Sequence, residues 1–215
     1  MAYEYVIKKE YTPVRKKLEE IIRIVQKEIR SQLTFQPSLI GSGSRKLITR
    51  EIGSNKGFDF DYNLALQTLK TEKKDARTIY KIIFDAIQRI SKQYNYKIEQ
   101  STSAITIKLV DHKNSKIIHS CDFAIVKDEK SSGNYFQLIL KVDKTTQPNK
   151  YIWNKRPASK NYYDKLRDIE GAVLWEKLEE EYLKLKNANN DNEKKSYQLF
   201  IEAINNVYNH YDWEE

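Results

Sequence analysis

Two aspartates, Asp59 and Asp61, stand two positions apart in the aromatic run Gly57-Phe58-Asp59-Phe60-Asp61-Tyr62. In an extended strand, side chains alternate between faces. Both acids then share one face, and Phe58, Phe60 and Tyr62 share the other. Adjacent like charges destabilise a sheet, so stability alone does not select this pair. A divalent cation would relieve the repulsion, because hard cations take oxygen ligands. A third acid, Asp122, lies in the apolar run Ile117–Val126. An acid in an interior strand is costly unless it is paired or bound to a metal. Alone, Asp122 is equally well read as an edge-strand or ion-paired residue. Taken with Asp59 and Asp61, the metal reading is the better one.

These acids must be positioned by the elements around them. Apolar residues from Val14 to Ile29 recur at helical spacing, and Thr12-Pro13 reads as an N-cap and first helical position, giving a helix over Pro13–Gln32. A short strand, Thr34–Ile40, ends at the small-residue turn Gly41-Ser42-Gly43-Ser44-Arg45-Lys46. Leu47–Ile52 is short helix or extended chain, and Gly53–Gly57 is a second loop. The aromatic strand follows over Phe58–Leu66, then a helix over Thr71–Tyr94. Strands are expected at Tyr96–Ser101, Ala104–Val110, Lys116–Val126 and Tyr135–Val142, with turns at Asp111–Ser115 and Ser131–Asn134. Thr145–Pro157 reads as a polar connector, and from Ser159 onward the pattern is helical. Strands and helices interleave first and helices segregate last, which points to an α+β fold. The expected domains are a catalytic core over residues 1–145 and a helical C-terminal part over 146–215, packing on the core.

The 215 residues, 40% hydrophobic and 32% charged, describe a soluble globular chain. No apolar run of membrane-spanning length or secretory signal is visible, and one cysteine, Cys121, suits a reducing compartment. A cytoplasmic location without membrane contact is therefore expected. The net charge of +8 suits a polyanionic partner, or simply a well-solvated lysine-rich surface. The three histidines lack metal-site spacing, so zinc is not expected. His119 and Cys121 should face away from Asp122 and be structural.

The order Leu39-Ile40-Gly41-Ser42, then Phe58-Asp59-Phe60-Asp61, then Ser120-Cys121-Asp122-Phe123 resembles the polymerase-β-type nucleotidyltransferases over about residues 13–145. Within that superfamily it looks most like the oligoadenylate and cyclic-dinucleotide synthase branch, or small bacterial nucleotidyltransferases. The resemblance implies a mixed sheet with flanking helices and a helical C-terminal part. It implies that Asp59, Asp61 and Asp122 are catalytic and hold two Mg²⁺ ions, with Mn²⁺ as a substitute. It further implies transfer of a nucleoside monophosphate from an NTP to an acceptor hydroxyl, with pyrophosphate released. The acceptor would be a second nucleotide, RNA or tRNA, or a small molecule. Small residues at Gly41, Ser42, Gly43 and Ser44 would let backbone N–H groups and a hydroxyl approach phosphate. Sixteen residues separate Ser42 from Asp59, and fourteen separate Ser44 from it, a longer gap than the family usually has. Gly41-Ser42 is favoured as the motif because it follows the strand directly, the extra length falling at Gly53–Gly57.

Arg45 and Lys46 would meet the triphosphate or the acceptor, or else form an exposed basic loop. Lys160 and Tyr163 match the region where the family binds base and triphosphate, although surface lysines and core tyrosines would read the same way. Two other functions fit the residues: an inactive nucleotidyltransferase fold that binds RNA, and another metal-dependent phosphoryl-transfer enzyme such as a nuclease.

Overall fold

The computed structural model describes residues 2–67, 74–131, 134–156, 162–191 and 194–213. The chain divides into two compact units, one formed by residues 6–48 and 54–158, the other by the described residues of 1–5, 49–53 and 159–215. No helix among the described residues is long and apolar enough to cross a membrane.

The first unit is a mixed sheet with helices on one face. Helix α1 spans Lys8–Ile29 and begins five residues before the expected start. Pro13 therefore lies inside it. Proline there forfeits only its own hydrogen bond, close to the end where the first N–H groups lack helical partners in any case. Thr12 is no cap; its hydroxyl donates to the Lys8 carbonyl at 2.6 Å. Strand β2 (Phe35–Ile40) runs into a short helix, α2 (Gly41–Arg45), where a turn was expected. Strand β4 covers Phe58–Leu66, as the alternation of acids and aromatics predicts. Helix α3 (Ala76–Gln93) is capped by Asp75, which accepts from the Thr78 N–H at 2.7 Å. Strands β5 (Tyr96–Gln100), β6 (Ile105–Asp111), β7 (Lys116–Ser131) and β8 (Asn134–Asp143) follow. The expected connector carries a further strand, β9 (Lys150–Lys155), whose Tyr151 and Trp153 pack against the core.

Among the described residues these strands form a seven-stranded sheet in the order β2-β4-β7-β6-β5, with β8 continuing from β7 and β9 pairing β8. The β4–β7 pair is parallel and the other pairs of this sheet are antiparallel. Phe58, Phe60, Tyr62 and Leu64 of β4, with Cys121, Phe123 and Ile125 of β7, share one core with Leu18, Ile21 and Val25 of α1 and Ile79, Ile83 and Ile87 of α3. Burial of these apolar side chains is the main driving force for this layer. It leaves the odd-numbered positions of β4 and the even-numbered positions of β7 facing away from the helices. His119 lies on the core side, 3% exposed, with Nε2 2.7 Å from the Tyr96 hydroxyl.

In the second unit, β1 (Tyr3–Tyr5) pairs antiparallel with β3 (Thr49–Glu51). Helix α4 covers Tyr163–Gly171, α5 Trp175–Ala188 and α6 Ser196–Asn209. The helical pattern expected from Ser159 onward is interrupted at Val173, which is 85% exposed and has φ +57°. A β-branched residue in the left-handed region is strained, and α4 ends there instead of continuing. The β1–β3 ribbon is fixed to α5. The Tyr5 hydroxyl donates to the Glu179 carbonyl at 2.7 Å, and the Tyr3 N–H donates to Asn187 Oδ1 at 2.5 Å. Lys186 Nζ donates to Thr49 Oγ1 and lies over the Tyr3 ring, 4.7 Å from its centroid.

Candidate active site

The parallel register of β4 and β7 sets Asp61 directly opposite Asp122 and Asp59 opposite Ser120. Neighbouring strands are about 4.8 Å apart, so the three acids form one cluster on the sheet face opposite α1 and α3. Asp59 is exposed, while Asp61 and Asp122 are half-buried. Residues separated by 61 positions thus become neighbours through the core packing of Phe60, Tyr62, Cys121 and Phe123 alone.

Asp61 is the most perturbed of the three. Burial, then the charges of Asp59 and Asp122, raise its pKa from 3.8 to about 7; Arg156 and Arg45 oppose the shift without cancelling it. On the far side of Asp122, β6 places Thr106, whose hydroxyl donates to Asp122 Oδ1 at 2.6 Å.

On the near side, β2 ends with Ile40 opposite Asp61, and Gly41 follows at once. Gly41 has φ +65°, and a Cβ there would lie 2.6 Å from Asp61 Oδ2. Both facts favour glycine: the dihedral suits it, and a side chain here would displace the Asp61 carboxylate. Gly43 is buried, and a Cβ on it would crowd Leu39 and Phe60 at 3.0 and 3.1 Å. The exposed Ser44 hydroxyl donates to the Gly41 carbonyl at 2.9 Å. The Leu47 N–H closes the turn onto the Ser42 carbonyl at 2.9 Å. Lys46 is exposed and ends α2 in the left-handed region at φ +63°.

Arg156 was not legible as a site residue in the sequence. It follows β9, and its Nη1 donates to Asn63 Oδ1 at 3.0 Å and Gln137 Oε1 at 2.8 Å. Two neutral amides hold the guanidinium, so these bonds leave its charge available, and that charge acts on Asp61. The partners lie 93 and 19 positions away, and only the sheet register brings them together. A basic residue just past an aromatic strand was the one sequence signal available.

Of the other expected site residues, Tyr163 begins α4 in the second unit, 59% exposed and stacked on Tyr162 with centroids 4.6 Å apart. Lys160 lies outside the described residues.

As the side chains stand, no group of three or more His, Cys, Asp and Glu among the described residues is arranged to hold a metal ion. The donor chemistry nevertheless fits a hard divalent cation. Three carboxylates share one sheet face, and Asp61 carries a repulsion that two arginines leave partly uncompensated. Hard oxygen donors and excess negative charge are what Mg²⁺ selects.

This α+β architecture is similar in fold to bacterial cyclic dinucleotide synthases of known structure. The Vibrio cholerae cyclic AMP-GMP synthase in complex with nonhydrolyzable GTP superposes with a TM-score of 0.57 at 14% identity, over 91% of this chain and 52% of that one. The Elizabethkingia meningoseptica cyclic dinucleotide synthase with GTP and Apcpp gives 0.54 at 11% identity, over 94% and 71%. The 3'-deoxy ATP bound form of the Vibrio cholerae protein gives 0.55 at 12% identity, over 98% and 54%. The chain thus spans about half the length of the Vibrio cholerae structures. No family model matches the sequence, and no curated protein matches it.

Proposed function

We propose that the protein is a Mg²⁺-dependent nucleotidyltransferase that moves a nucleoside monophosphate from an NTP to an acceptor hydroxyl. The observation that carries this reading is the parallel β4–β7 register, which gathers Asp59, Asp61 and Asp122 beside the glycine at the end of β2. The likeness in fold to synthases bound to GTP and ATP analogues supports an NTP as donor. Asp59, Asp61 and Asp122 would hold the metal. When bound, two Mg²⁺ ions would neutralise triphosphate charge and make the acceptor hydroxyl more acidic.

The remaining roles belong to the chain. The bare backbone at Gly41 and the Ser42 hydroxyl would receive phosphate oxygens. Arg45 and Arg156, whose charges already act on Asp61, would offset phosphate charge, with Lys46 at the rim. By the sequence resemblance alone, Lys160 and Tyr163 are the proposed contacts to the triphosphate and the base. The acceptor oxygen bonds to the α-phosphorus as the bond to the pyrophosphate oxygen breaks. Asp122 takes the acceptor proton and pyrophosphate leaves. Most of the acceleration in such a site comes from positioning and charge stabilisation.

The acceptor is a second nucleotide, as in the cyclic dinucleotide synthases of like fold. The test is pyrophosphate release from each of the four NTPs with Mg²⁺, comparing the native chain with Asp59→Ala/Asp61→Ala. Release by the native chain alone is expected, with a nucleotide-nucleotide product. Equal release by both proteins would remove the acids from the mechanism, and labelled RNA as the product would replace the acceptor. Gly41→Ala should reduce turnover at least ~10-fold through its contact with Asp61, and should cost more than about 1 kcal/mol of stability from the dihedral together with that contact. The same pyrophosphate assay with thermal unfolding checks both numbers.

A further inference from the structure

We infer that Thr106 is a positioning residue for Asp122 and thereby for metal binding; this rests on the nucleotidyltransferase reading above. Ile105 and Ile107 of β6 are fully buried, each 0% exposed. Core packing therefore forces Thr106 onto the opposite face, where the β6–β7 register sets it across from Asp122. Its hydroxyl donates to Asp122 Oδ1 at 2.6 Å. Threonine is stiff about χ1, so the donor is held in place without further support.

The consequence is a division of labour on one carboxylate. Oδ1 is occupied by Thr106, which fixes the carboxylate plane. Oδ2 is left for the cation. Partners that orient a metal ligand in this way are typically worth 10–100-fold in metal affinity or activity. On β5 the register partner of Thr106 is Glu99, and that acid is engaged with Lys108 at 2.5 Å.

The experiment is titration of the full chain with Mn²⁺ alone, followed by electron paramagnetic resonance. The variants are Thr106→Val, Thr106→Ala, Thr106→Ser, Asp61→Asn, Asp122→Asn and the Thr106→Val/Asp122→Asn double. Thr106→Val keeps the branched shape and removes the hydroxyl. It is expected to weaken Mn²⁺ binding about 10–100-fold, with Thr106→Ala doing the same and Thr106→Ser staying close to the native chain. In the Asp122→Asn background, Thr106→Val should add nothing. A purely structural threonine would alter thermal stability without changing Mn²⁺ affinity. Native affinity in both Thr106→Val and Thr106→Ala overturns the inference, as does an equal loss with and without Asp122. If Asp61→Asn loses Mn²⁺ while Thr106→Val does not, only the role of Thr106 falls. If the native chain binds no Mn²⁺, the metal reading of the site falls with it.

Discussion

Asp61→Asn is expected to lower nucleotidyl transfer by about 10³-fold, the order lost when a group stabilising transition-state charge is removed, while making the metal-free protein more stable. The two effects have one cause. Asp61 is held among like charges in a half-buried position, and its pKa is raised from 3.8 to about 7. A carboxyl whose folded pKa is raised binds its proton more tightly in the folded state. It favours folding at low pH, and that contribution is lost as pH rises from about 4 through about 7. Above this window the metal-free native state carries a charge it holds poorly. Asparagine keeps the shape and removes the charge. Thermal unfolding in a metal chelator should therefore show little difference between the two proteins near pH 4. Near pH 8 the variant should be more stable by about 2 kcal/mol, or roughly 4–8 °C. Added Mg²⁺ should narrow that gap by stabilising only the native chain. A variant less stable than native at pH 8 would mean that Asp61 is paired and structural.

Gly57→Ala is expected to be the most damaging single methyl addition at the described glycines. A Cβ at this position would lie 1.9 Å from the Ile118 carbonyl oxygen, 2.4 Å from its carbon and 2.7 Å from the Ile117 carbonyl oxygen. All three are backbone atoms, so no rotamer change relieves the clash. The strands meet here just before their parallel pairing begins at Phe58 and His119. The Ile117 N–H already donates to the Asn55 carbonyl at 2.8 Å across the same point. Separating the strands there moves Asp59 and Asp61 relative to Asp122. A loss of about 3 kcal/mol or more is expected, lowering Tm by roughly 6–12 °C. Gly53→Ala is the control, because Gly53 has φ +74° but nothing within 4 Å of the added carbon. It should cost only about 1 kcal/mol of backbone strain. Equal losses in calorimetry would show that the close approach at Gly57 does not fix the register.

Elements with strong alternation are legible in the sequence. β4 has the bounds that Phe58-Asp59-Phe60-Asp61 suggests, because each buried aromatic enforces the exposure of its neighbour. The face shared by Asp59 and Asp61 follows from the same pattern. Other features depended on partners distant in sequence. β9 looked like a connector because its polar flanks outweigh Tyr151 and Trp153, whose packing surface is supplied by the sheet. Pro13 and Thr12 gave a plausible helix start, yet α1 starts at Lys8, beyond an N-cap, Ile7, that carries no side-chain cap. The long gap between Ser42 and Asp59 was expected to reside in Gly53–Gly57. The stretch between Ser42 and Asp59 also carries β3, three residues that pair with β1. Nothing in residues 49–51 announces a partner at residues 3–5, and no local rule joins Tyr3 to Asn187, 184 positions away. Arg156 was missed for the same reason.

The most direct measurement is transfer of label from α-³²P NTPs by Asp122→Asn. Asp122 has no sequence neighbour in the site, and only the β4–β7 register gives it a reason to matter to Asp61. With Mg²⁺ and each NTP in turn, the native chain should form a labelled product and release pyrophosphate, and Asp122→Asn should form about 10²-fold less or lower, while unfolding at a similar temperature. Labelled product at the native rate from Asp122→Asn would contradict the assignment of these three acids to one catalytic site.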